Sequence, residues 1–148
     1  MTWQEEPLAG YTYTWGEDAI VWGGYVVRVD DDAPKDLASI VGCAVLTGAG
    51  AVTHTAKVRP EESVAVFGVG GVGMSAIQMA SVLQAYPIIA VDLDDAKLEF
   101  AKEFGATHTV NASKVDPVEA IIEMSVYRIA LVQVQYDQLG RRHIADCY

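Results

Sequence analysis

The sequence predicts an α/β fold: a doubly wound parallel sheet of which only the first strand–helix–strand–helix–strand half is laid out, with irregular ends. Three observations carry this expectation. The runs Val64-Ala65-Val66-Phe67, Ile88-Ile89-Ala90-Val91 and Thr109-Val110-Asn111 are short, apolar or β-branched, and bounded by turn residues. A segment with helical character follows each run. Between the first run and its helix lies nothing but Gly68-Val69-Gly70-Gly71-Val72-Gly73. Strands and helices alternating at this spacing give parallel strands joined by right-handed crossovers. The expected layout is an irregular, aromatic-rich segment at 1–35, the α/β domain at 36–124 and a divergent tail at 125–148.

In chain order, Tyr25-Val26-Val27-Arg28-Val29 is a strand candidate stopped by Asp30-Asp31-Asp32-Ala33-Pro34. Asp36 suits an N-cap for a short helix over Leu37 to Val41, and Thr47-Gly48-Ala49-Gly50-Ala51 opens a second helix that leads to Lys57. Pro60-Glu61-Glu62 turns the chain into the first apolar run. From Met74 to Ala85 the polar residues Ser75, Gln78, Ser81 and Gln84 form one narrow stripe at 100° per residue, the pattern of a largely buried helix. Asp94 and Asp95 suit the next helix start, Leu98, Ala101 and Phe104 its inward face, and Gly105 a left-handed C-cap. Asp116-Pro117-Val118-Glu119 supplies N-cap, first-turn proline and capping-box acid in order. Further on, Val132-Gln133-Val134-Gln135-Tyr136 alternates like a strand with one exposed face, whereas a central parallel strand should be apolar throughout.

Length and composition narrow the function classes. The chain has 148 residues, 51% of them hydrophobic and 20% charged, which fits one globular domain. Its formal charge of −10 opposes binding to a polyanion, and Arg141-Arg142-His143 is too short for a nucleic-acid patch. Cys43 and Cys147 alone build no disulfide framework, so a reducing compartment is expected. Met1 to Pro7 carries acids where a signal peptide needs a basic end, and the apolar stretch Ile40 to Thr53 is punctuated by Gly42, Gly48 and Gly50. The expectation is therefore a cytoplasmic protein without membrane or nucleic-acid partners.

The glycine run points to chemistry. Three glycines at this spacing permit a tight strand-to-helix turn, close approach of backbone to a pyrophosphate, and close packing of helix on strand. The helix N-terminus then offers unpaired N–H groups and a positive dipole end to the phosphates. Asp92 ends the second apolar run 24 residues after Gly68, close to where a carboxylate should accept from the adenosine ribose hydroxyls. Gly68, Gly70, Gly71, Val72, Gly73, Asp92 and Lys97 are thus the candidate cofactor-binding residues, with the N–H groups around Gly70 to Val72 on pyrophosphate and Lys97 on the same ribose. A carboxylate at 92 repels the extra phosphate of NADP, so NAD is the expected cofactor.

From about Tyr25 to Glu123 the chain resembles the medium-chain, zinc-type alcohol dehydrogenases. Gly42-Cys43-Ala44-Val45-Leu46-Thr47-Gly48 is similar to that family's zinc-ligand cysteine and the threonine-glycine after it. Ala65 to Gly73 is similar to its Rossmann cofactor turn, Asp92 and Lys97 to its ribose contacts, and Lys102 and Gly105-Ala106-Thr107 continue the pattern. The resemblance implies hydride transfer between a small alcohol or aldehyde and NAD, with zinc as Lewis acid, Cys43 as one metal ligand and Thr47 near the nicotinamide.

A catalytic zinc needs three protein ligands. The family's other ligands lie in an N-terminal domain without counterpart here, and His54, His108 and His143 show no ligand spacing. Zinc binding by this chain alone is therefore not expected, Cys43 is expected as a buried free thiol, and no complete catalytic set is assigned. Residues 1–35 would be the remnant of a catalytic-domain edge, and after Met124 the resemblance stops. Three readings follow: an NAD(H)-binding domain shortened at both ends, a nucleotide-binding or regulatory module without turnover, or a fragmentary gene product. In the second, Trp3, Tyr11, Tyr13, Trp15 and Trp22 would cover a partner chain; an uncovered sheet edge would invite self-association.

Overall fold

The computed structural model describes Thr2–Trp3, Glu6–Pro7 and residues 21–125 and 129–133. Tyr11, Tyr13, Trp15, Val134 to Tyr136, Arg141 to His143 and Cys147, singled out above, lie outside the described residues. The chain divides into two units, 1–34 and 35–148.

In the first unit, β1 (Thr2–Trp3) pairs antiparallel with β2 (Glu6–Pro7), and a 3₁₀ turn runs from Gly23 to Tyr25. The strand expected over Tyr25 to Val29 does not form. Val26, Val27 and Val29 are exposed, Val27 to 89%, and among the described residues no neighbouring strand takes up their backbone groups. β-branched composition favours a strand only where a ladder partner and a packed face exist.

The second unit opens with a single continuous helix, α1 (Lys35–Thr55), where two helices were expected. It passes through π-type turns at Val41–Val45 and Ala51–Thr55 without a break. The glycines that suggested an interruption serve packing instead. A Cβ on Gly48 would stand 2.3 Å from the Val72 carbonyl oxygen and 2.8 Å from Ala76 N, so only glycine lets α1 lie on the next helix. By length and a mean hydropathy of 1.5, α1 is also apolar enough to cross a membrane, even with Gly42, Gly48 and Gly50 within it. Its buried positions, Gly48 and Val52, pack within the protein.

β3 (Ser63–Phe67) follows, then α2 (Gly71–Val82), β4 (Ile88–Asp92), α3 (Asp95–Glu103), β5 (His108–Asn111), α4 (Pro117–Met124) and β6 (Ile129–Gln133). The helix signals read from the sequence act as physical caps. Asp94 accepts from the Ala96 N–H at 2.8 Å and Asp116 from that of Val118 at 2.8 Å. Gly105 has φ +109°, and a side chain there would strike Ser81. α2 ends earlier than expected, at Val82, where Leu83 caps it and Gln84 turns back with φ +59°.

All four strands run parallel in the order β5-β4-β3-β6. Alternate side chains build two cores. Val64, Val66, Ile88, Ala90, Ala130 and Val132 face Ile77 of α2 and Leu98 of α3, while Ala65, Ile89, Val91 and Val110 face Ile121 of α4. Helices therefore cover both faces, as a parallel sheet requires. The fourth strand lies in the segment expected as a divergent tail. It begins three residues before the alternating stretch, and Ile129-Ala130-Leu131-Val132 is apolar throughout, as a strand paired beside β3 should be.

The two kinds of glycine in α1 predict opposite effects. Gly48→Ala should destabilise the chain by about 1–3 kcal/mol, because the contact it meets is backbone. Gly50 has helical φ/ψ of −63° and −37° and nothing within 4 Å of where a Cβ would stand, so Gly50→Ala should stabilise by about 0.5–1 kcal/mol. Urea unfolding followed by circular dichroism checks both signs.

Candidate nucleotide-binding site

The strand order places a switch point at β3. The chain leaves β3 toward β4 and β5 on one side and returns through β6 on the other. In open α/β sheets, ligands bind outside the carboxyl ends of the strands at such a reversal. The glycine run sits there, between Phe67 at the end of β3 and the first turn of α2.

Its three spaced glycines have separate physical roles. Gly68 has φ +83°, a backbone that side chains rarely adopt. A Cβ on Gly73 would stand 1.9 Å from the Gly68 carbonyl oxygen, so the third position is fixed by the approach of helix to strand. Gly70, the N-cap, has φ −75° and nothing within 4 Å of where a Cβ would project. Backbone conformation therefore explains Gly68 and helix packing explains Gly73, while neither explains Gly70, where a side chain would meet open space. The first helical bond is Met74 N–H to the Gly70 carbonyl, at 2.8 Å. That leaves the N–H groups of Gly71, Val72 and Gly73 without an intrahelical partner, at the positive end of α2.

Asp92, the last residue of β4, lies across from this turn. Its Oδ2 accepts from the Val69 N–H at 2.9 Å, and its Oδ1 from those of Leu93 at 2.8 Å and Asp94 at 3.2 Å. Partial burial pushes its pKa up, but the N–H donors of Val69, Asp94 and Leu93, with the charge of Lys97, outweigh this. The carboxyl is held below its ordinary value of 3.8 and is ionised at neutral pH.

Gly68, Gly70, Gly71, Val72, Gly73, Asp92 and Lys97 all line one cleft of about 600 Å³, a size suited to an extended cofactor half. Phe67, Val91, Leu93, Asp94 and Ala112 line it too and were not singled out from the sequence as site residues. Their signal was positional: each lies at or just past the carboxyl end of a strand. Beside the cleft, Asn111 donates to the Leu93 carbonyl at 3.2 Å and to Asp95 at 2.7 Å, and Lys114 pairs with Asp95. These bonds hold the loop after β4 against the end of β5. They also lower the pKa of the exposed Asp95, the Lys114 bond foremost.

Cys43 and Thr47 are brought elsewhere. Both lie on α1, both are exposed, and neither lines the cleft. Exposure of Cys43 corrects the expected buried thiol: the stretch from Val41 to Val45 has no buried residue. His54 is exposed beside Thr53, and His108 packs edge-on against Tyr86 with ring centroids 6.3 Å apart. Among the described residues no group of three His, Cys, Asp or Glu side chains could hold a metal ion. The described residues thus group no three protein ligands for a zinc ion, while the cleft combines orphan N–H groups and a carboxylate, the chemistry that a dinucleotide's pyrophosphate and ribose require.

The sequence profile of the family described as "Zinc-binding dehydrogenase" matches residues 71–146, a span that includes the segment after Met124 where the resemblance was expected to stop. The alcohol dehydrogenase class-3 of Cereibacter sphaeroides is 40% identical over 115 residues, covering 78% of this chain and 29% of that protein. The S-(hydroxymethyl)glutathione dehydrogenase of Synechocystis is 41% identical over 110 residues, covering 74% and 30%. Among solved structures, the benzyl alcohol dehydrogenase of Acinetobacter calcoaceticus superposes with a TM-score of 0.70 at 40% identity, covering 75% of this chain and 31% of that one. The chain spans about three-tenths of the length of these relatives. With this family match, the four parallel strands and the glycine turn at their switch point, the chain belongs to the zinc-binding dehydrogenase family, as a Rossmann-type domain of the medium-chain alcohol dehydrogenase kind.

Proposed function

We propose that this chain is an NAD(H)-binding domain of an alcohol dehydrogenase-like oxidoreductase. The observation that carries the reading is the cleft in which Gly70, with open space in place of a side chain, the orphan N–H groups of α2 and the ionised Asp92 come together. In this reading the N–H groups of Gly71, Val72 and Gly73 hold the pyrophosphate, and Asp92 accepts from the adenosine ribose with Lys97 beside it. Bound NAD would supply hydride acceptance, and this chain's own residues bind and orient it. Thr47 near the nicotinamide and Cys43 as a zinc ligand come from the family resemblance and need residues beyond those described. A small alcohol or aldehyde is the proposed substrate of the whole enzyme, in a cytoplasmic setting.

A second reading, a nucleotide-binding module without turnover, is favoured by one observation: Cys43 stands on α1 with no second and third ligand grouped about it among the described residues. Zinc content and alcohol-dependent NAD reduction test for turnover: a chain that carries zinc and reduces NAD with alcohol excludes the module, and a zinc-free, inactive chain that binds NADH leaves it standing.

NADH fluorescence should rise saturably at submillimolar cofactor, and NADPH should bind at least tenfold more weakly because its extra phosphate meets Asp92. No saturable NADH binding would sink both readings. Gly70→Ala should cost no more than about 1 kcal/mol of urea stability, the loss of a favourable N-cap residue, yet weaken NADH at least tenfold, whereas Gly73→Ala should lose stability first. Asp92 also gives a pH signature. Its folded pKa lies below the ordinary 3.8, so its stabilising contribution is present above that value and is lost as pH falls through the folded pKa. Thermal midpoints measured from pH 6 down to pH 3 should fall in that lower window, and Asp92→Asn should flatten the fall.

A further inference from the structure

We propose that Asp92 is also the positioning residue of the glycine turn, so that the ribose and pyrophosphate subsites of the cleft bind their ligand cooperatively. The inference rests on the nucleotide-binding reading and adds a role that the ribose contact does not contain. Val69 is held from two directions. Its side chain is 1% exposed in the core, and its N–H reaches across to Asp92 Oδ2 at 2.9 Å, joining two strands over 23 residues of chain. The residue before it, Gly68, is fastened to the Val91 carbonyl at 2.8 Å. The next backbone bond described along the chain is that of Met74 to Gly70, already inside the helix. The Asp92 carboxylate therefore makes the last cross-strand fastening before the segment that faces the phosphates.

Acceptor capacity connects the two subsites. A carboxylate offers about four acceptor positions. Leu93 and Asp94 occupy both on Oδ1, and Val69 occupies one on Oδ2, so that among the described residues one position stays free on the oxygen that holds the turn. A ribose hydroxyl donating there shares its acceptor with the Val69 N–H and fixes the carboxylate in the orientation that fastens the turn. By linkage, a turn ordered by phosphate holds the carboxylate ready for ribose to the same degree.

The test uses the full chain with ADP and 2′,3′-dideoxy-ADP, which keeps the phosphates and lacks the hydroxyls that Asp92 would bind. Calorimetry gives the affinities and amide hydrogen exchange by NMR reports on Val69. In Asp92→Ala, both nucleotides should weaken at least fivefold. Val69 exchange should accelerate at least tenfold while Val66 and Ala90 keep their protection, a pattern that general loss of stability does not produce. ADP alone weakened, with dideoxy-ADP affinity and Val69 exchange unchanged, would overturn the proposal and leave the nucleotide-binding reading intact. If Asp92→Ala does not fold, the parent chain decides: at equal saturation ADP should slow Val69 exchange more than dideoxy-ADP does, and equal slowing overturns the coupling. Failure of both nucleotides to bind the parent chain overturns the nucleotide-binding reading, and the coupling with it.

Discussion

The near-contact of Gly73 with the Gly68 carbonyl, where a single added carbon would fall 1.9 Å from oxygen, sets the depth at which α2 meets β3. Much else is referred to that depth. Ala76, Ile77 and Ala80 can bury completely against Val64 and Val66 only if the helix axis comes this close. α1 in turn rests on the backbone of α2 through Gly48, so its own position is set by the same first helical turn. Small residues stacked in this way exchange side-chain volume for backbone proximity. The same proximity brings helical N–H groups to the rim of the sheet, where a phosphate could meet them.

Electrostatics at that rim are local and do not follow from the chain's overall charge of −10. Asp92 and Asp95 both have their charged form favoured, one chiefly by backbone N–H groups and the other by Lys114 and Asn111. Each fastens a loop at the carboxyl ends of the strands: Asp92 the turn after β3, and Asp95, through Asn111, the loop after β4 to the end of β5. The cleft is thus framed by hydrogen bonds between connections, which lets those connections stay irregular while their amides remain in place.

How much could be read from the sequence depended on whether a residue's partner was near in the chain. Caps were legible because the acceptor and donor lie within three residues, as at Asp94 and Asp116. The apolar runs at 64–67 and 88–91 were legible because strands buried on both faces need no periodicity, only brevity and turn signals at their ends. Gly48 was misjudged because its reason is Val72, which lies in another helix. Tyr25 to Val29 has strand composition and no partner, and composition does not reveal a missing partner. β6 was less legible because its apolar start, Ile129 to Val132, is short and runs directly into the alternating Val132 to Tyr136. At the site, the glycine run and Asp92 stood out as motif residues, while Leu93 and Ala112 enter the cleft through topology alone.

The pairing of β6 with β3 carries a consequence for the order of folding. Val64 meets Ile88 and Ile89 meets His108 across short crossovers, whereas Ser63 meets Ile129 only after the chain has made β4 and β5 and crossed back. Closing that longer span costs only about 1 kcal/mol more in chain entropy. The β3 edge on that side is therefore the one whose partner lies farthest along the chain. Until β6 pairs with it, that edge leaves the backbone groups of Ser63 to Phe67 without a ladder, a template for misassembly with a neighbouring chain.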